Sequence, residues 1–200
     1  MDLINLIINE DPNDGSGVSA IALVDAPAIE SGFHAFNSQK LVKHTIFLGT
    51  NKGNYTPIEG DKQILAGALM IPDIEIYRKE GEKEFNVSFT SETIKQIQEK
   101  FALRNANTAI NQMHNNDTPV NGGLIQHFII DRKTGVMPPF KSDLPDGTWY
   151  GYIKVNDKAV WDNFIKTGIY TGFSVEGNFY EQPSDSFLAD LEKVLNKTEG

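Results

Sequence analysis

Between Ile64 and Phe179 the apolar residues come in short runs, several alternating with polar ones, and most runs are closed by Gly, Pro or Asn. A period of two places apolar side chains on one face of a strand, and runs this short do not make buried helices. The chain is therefore expected to be built on sheets. Strands are predicted over 64–71 and 74–77, separated at Pro72, then through Phe85, Val87 and Phe89, and over 108–113, 124–130, 149–155 and 172–179. Two helices interrupt them. One starts at Ser91 as cap and carries Ile94, Ile97 and Phe101 on one stripe; the other starts at Asn156, carries Val160, Trp161, Phe164 and Ile165, and stops at Gly168. The expected class is α+β, a mainly antiparallel sheet core flanked by a few helices.

The flanks carry weaker signals. Leu3 to Asn9 and Ser19 to Val24 read as extended, with the turn-rich Asp11–Gly17 between them, whereas from Phe33 to Asp61 the pattern suggests loop or linker. Residues 1–62 are expected to form an N-terminal arm and 63–182 the main domain. Residues 183–200, with Phe187, Leu188, Leu191, Val194 and Leu195 at helical spacing, are expected to form an amphipathic tail helix.

Charge narrows the partners. With 27 Asp and Glu against 18 Lys and Arg the formal charge is −9, which disfavours nucleic acid and anionic membranes as ligands. No run is long enough to span a bilayer, and the start of the chain lacks the basic flank and cleavage site of a signal peptide. The absence of cysteine removes thiol nucleophiles and Cys-type zinc sites, leaving Ser, Thr or Lys for nucleophilic chemistry. Neither a Gly-rich phosphate loop nor a G-x-S-x-G elbow occurs, and no cofactor is expected.

A serine nucleophile needs an imidazole within hydrogen-bond reach, and the chain has four histidines. His34 and His44 fall in the weakly patterned segment and read as surface or linker residues. His114 ends a predicted strand at the Asn115–Gly122 turn, where a side chain can project into a cleft. His127 sits on a predicted strand between Ile125 and Ile129 and reads as a core histidine. On strand 172–179, Phe173, Val175 and Phe179 share one face and Ser174, Glu176 and Asn178 the other. The polar face is the candidate site. Asp117 reads as a turn-closing residue; a metal site drawn from His114, Asp117 and His127 lacks hydrolytic zinc spacing.

Taken together, Leu69–Pro72 followed by Ile76–Arg78, Phe89 with its following helix, His114, Leu144–Trp149 and above all Gly172-Phe-Ser-Val-Glu-Gly177 resemble the XkdF-type phage serine proteases. These are relatives of the tailed-phage prohead proteases and, more distantly, of the herpesvirus assemblins. The resemblance implies a β-barrel-like, herpesvirus-protease-like core, Ser174 as nucleophile and His114 as general base. It also implies scaffold and major capsid proteins as substrates, the chain itself among them, inside an immature shell assembling in the host cytoplasm, and it leaves room for a homodimer. Assemblins place a second histidine downstream of the nucleophile, and no histidine follows Ser174 here. Glu176, on the face of Ser174, and His127 are the candidates for the third role. The competing expectation is a catalytically inactive protease fold kept as a structural or scaffolding protein of capsid assembly.

Overall fold

The computed structural model describes residues 2–25, 42–47, 55–58, 62–138 and 143–183. The elements in order are β1 (Asp2–Ile7), β2 (Gly17–Val24), β3 (Val42–Phe47), β4 (Tyr55–Ile58), β5 (Ile64–Met70), β6 (Ile76–Glu80), β7 (Lys83–Ser88), α1 (Ser91–Leu103), β8 (Ile110–Gln112), β9 (Asn115–Pro119), β10 (Gly122–Ile129), β11 (Trp149–Val155), α2 (Lys158–Val160) and β12 (Gly172–Pro183). The α+β expectation holds, with sheet dominating.

Two sheets form. An eight-stranded sheet runs β6-β7-β1-β12-β2-β8-β9, with β3 also paired to β12, and a four-stranded sheet runs β10-β11-β5-β4. Most pairings are antiparallel, but β1 pairs β7 and β2 pairs β8 in parallel. The barrel-like core expected from the resemblance is not formed among the described residues: each sheet runs from one edge strand to another. The edges of the larger sheet have the chemistry of solvated edges, since β9 is Asn-Asn-Asp-Thr-Pro and β6 ends Arg-Lys-Glu.

The segment set apart as an arm contributes to the larger sheet. β1, β2 and β3 all pair with β12, and the first two carry Leu6, Ile21 and Leu23 into the core with no exposure. The tail helix lies outside the described residues apart from Pro183, which ends β12.

The odd residues Phe173, Val175 and Phe179 of β12 enter the core with Phe85, Leu65, Leu69 and Trp149. Helix α1 closes it with Ile94, Ile97 and Phe101, the last packed edge-to-face on Trp149 at 5.3 Å. Its cap is Thr90 rather than Ser91, because Thr90 is extended and its hydroxyl accepts from the Thr93 N–H at 3.1 Å. In the second helix Asp157 caps in place of Asn156, accepting from Ala159 and Val160 at 3.0 Å each. That helix continues as a π-type turn over Trp161–Ile165.

The β1–β2 connection is fastened to α1. Buried Lys100 donates to Asn9 O at 2.5 Å and Ser16 Oγ at 3.3 Å and lies 3.6 Å from Asp14, while Arg104 donates to Ser16 O at 3.0 Å. Burial of the Lys100 ammonium lowers its pKa. This grip fixes where β2 enters the sheet.

Candidate active site

Ser174 lies on β12 opposite Ala22 of β2, and Glu176 lies opposite Ala20. Residues two apart on a strand share a face, so both polar side chains stand on the side away from Phe173 and Val175. That face is covered: Ser174 is 0% and Glu176 5% exposed.

His114 arrives from two strands away. β8 runs parallel to β2, with Asn111 beside Ala22 and Gln112 beside Leu23, then reverses into β9 with Gln112 facing Asn115. Met113 and His114 are the two turn residues, and both are left-handed, with φ of 52° and 58°. Such a turn matches the twist of a hairpin but favours Gly and Asn; methionine and histidine there hold strain of order 1 kcal/mol each. The surroundings enforce it. Met113 N donates to Leu23 O at 3.0 Å, and Thr118 Oγ1 donates to Gln112 O at 3.2 Å and Asn115 O at 3.0 Å.

The turn brings the imidazole onto the polar face of β12. His114 Nε2 is 2.8 Å from Ser174 Oγ, and its Nδ1 is 3.5 Å from Glu176 Oε2. The first is a hydrogen bond; the second is an ion-pair separation, longer than a close hydrogen bond. The carboxylate favours the tautomer with the proton on Nδ1, which leaves Nε2 to accept the Ser174 hydroxyl proton. The His114 side chain keeps 12% exposure and is the more open member of the cluster. Such an arrangement can deprotonate a serine as it attacks and stabilise the imidazolium that results.

The other candidates lie elsewhere. His127 is on β10 in the smaller sheet, where its Nδ1 is 2.7 Å from Gln98 Nε2 and accepts from Trp149 Nε1 at 3.3 Å. Those two contacts tie it to α1 and the core, so the structure keeps it apart from Ser174 and it does not orient His114. Its burial lowers its pKa. Asp117 is exposed and its N–H closes a turn on Asn115 Oδ1 at 2.9 Å. His114, Asp117 and His127 do not converge, and no group of three or more potential metal ligands occurs among the described residues. No described helix is long and apolar enough to cross a membrane. The sequence of Ser19–Val24 reads as a strand, but nothing local ties its Ala20 and Ala22 to Glu176 and Ser174, which they face.

The model of a family described as "Putative phage serine protease XkdF" matches residues 55–181, which span β4 to β12 and include His114, Ser174 and Glu176. No curated protein and no solved structure matches the chain.

Proposed function

Because the chain belongs to the phage serine protease XkdF family, we propose that it is a serine endopeptidase in which Ser174, His114 and Glu176 act together. Ser174 Oγ attacks the scissile carbonyl while His114 Nε2 takes the hydroxyl proton. The proton is returned to the leaving amine as the C–N bond breaks, giving an acyl ester on Ser174. A water, deprotonated by the same nitrogen, then releases the acid. Glu176 holds the imidazole and offsets its charge. The observation that carries this reading is the 2.8 Å contact between His114 Nε2 and Ser174 Oγ, made across the intervening β2 by a strained turn.

The substrates in this reading are phage scaffold and major capsid proteins, with the chain itself among them, cleaved within the assembling procapsid in the host cytoplasm. Confinement supplies substrate at high local concentration, so little intrinsic affinity is required. The test is co-expression with the capsid and scaffold proteins encoded beside it, followed by intact-mass measurement. Truncations that vanish in Ser174→Ala support the protease. Unchanged masses in both, with shells still forming, favour a structural protein, the reading with which the complete burial of Ser174 is also consistent.

A further inference from the structure

We propose that β2, which lies outside the family-matched region, is a spacer strand of the active site, with Ala22 and Ala20 as positioning residues for the His114 imidazole. This rests on the protease reading above and concerns the same site. β2 sits between β8, which leads into the His114 turn, and β12, which carries Ser174 and Glu176. At about 4.8 Å per strand spacing, β8 and β12 are separated by roughly 10 Å. The contacts of His114 to Ser174 and Glu176 therefore require its side chain to pass over β2.

Registered partners in a sheet point to the same face. The residue of β2 opposite Ser174 is Ala22, and the one opposite Glu176 is Ala20. Their neighbours Ile21 and Leu23 point the other way, into the core. The methyl groups of Ala20 and Ala22 are thus the floor beneath the imidazole, and a branched side chain at either position takes the volume the ring occupies. Ala22 has no exposure, so an added group there cannot turn out to solvent. The Lys100 and Arg104 grip on residues 9–16 holds this floor at its height in the sheet. The catalytic geometry is consequently incomplete without residues 17–24, and cleavage that removed them would dismantle the site rather than release it.

The test compares Ala22→Val, Ala22→Gly and Ala20→Val in the full chain, with Ala66→Val as a control for overpacking a buried alanine in the other sheet. The first readout is NMR of the His114 ring nitrogens, independent of any substrate. In wild type the Nε2 signal should move on Ser174→Ala; in the Ala22→Val background it should not, while Ala22→Gly and Ala66→Val preserve the response. Ala20 is only partly buried, so Ala20→Val is the better tolerated variant, and it should uncouple the Nδ1 signal from Glu176→Gln. The second readout is cleavage of a co-expressed substrate, expected to fall about 100-fold in kcat with KM retained in Ala22→Val, as for a catalytic group displaced by about 1 Å. Wild-type coupling and rate in both valine variants overturn the inference. A wild type that cleaves nothing yet shows the coupling, lost in the valine variants, sinks the protease reading and leaves the spacer role standing.

Discussion

Replacing Glu176 by glutamine changes one charge and almost no volume, and the geometry sets how much that charge is worth. Its Oε2 lies 3.5 Å from His114 Nδ1, with both side chains largely buried. At an effective dielectric near 20, two unit charges at that distance interact by about 4–5 kcal/mol. Solvent at the partly exposed imidazole screens part of this, so the differential stabilisation of the imidazolium is about 3–4 kcal/mol. At about 1.4 kcal/mol per tenfold, Glu176→Gln should slow acylation by roughly 10²–10³-fold. A glutamine amide can also donate to Nδ1, which moves the ring proton to Nε2 and removes the base from Ser174. The assay is kcat/KM on a peptide spanning the cleavage site found by co-expression, with thermal unfolding to confirm that the fold is intact. A variant within about threefold of wild type would show that Glu176 is an ordinary buried carboxylate and that another group, or none, orients His114.

Other consequences can be checked on the protein alone. His127 has a pKa lowered by burial, and its Nδ1 faces two side-chain nitrogens. The unfolded chain therefore binds more protons in the window from the unfolded value near 6.5 down to the depressed folded value, so stability from this residue is present above about pH 6.5 and declines as pH falls through that window. Thermal unfolding should drop over that range with a parallel change in Trp149 emission, and His127→Phe should flatten the dependence; an equal slope in the variant contradicts it. Lys100→Met strips the donor from Asn9 O and Ser16 Oγ and should cost about 1–3 kcal/mol in urea unfolding. No loss would show that the β1–β2 loop is held without it. Met113→Asn places a residue tolerant of left-handed backbone at φ 52° and should raise stability by about 0.5–1 kcal/mol, read as a higher Tm.

What could be read from the sequence was what is local. The alternation of Phe173, Val175 and Phe179 against Ser174 and Glu176 fixed both the strand and its polar face, because a strand's period sorts side chains without reference to the rest of the chain. The helix over residues 91–103 was legible for the same reason, with its cap misplaced by one residue. Pairing was not legible. β3 lies in a segment that reads as loop, yet it pairs with β12, over a hundred residues away, and no local pattern encodes such a partner. β9 reads as a turn because its residues are polar, as befits the edge of a sheet. His114 reads as a strand end, whereas it is the second residue of a left-handed turn, which a histidine would not choose by local preference. His127 reads from the sequence both as a core residue and as a candidate orienter, since only the fold separates its sheet from the one carrying Ser174. The barrel expected from the resemblance depends on closure, a property of long-range pairing, and among the described residues the sheets stay open.

The central claim is that His114 activates Ser174 as a nucleophile. Its most direct test is reaction of the purified chain with a fluorophosphonate, followed by intact mass and peptide mapping, in wild type and in His114→Ala. The account predicts a single adduct on Ser174 in wild type and at least a hundredfold slower labelling in His114→Ala. Labelling of Ser174 at equal rates in both proteins, or no adduct at all in a wild type taken from cleaving shells, would contradict it.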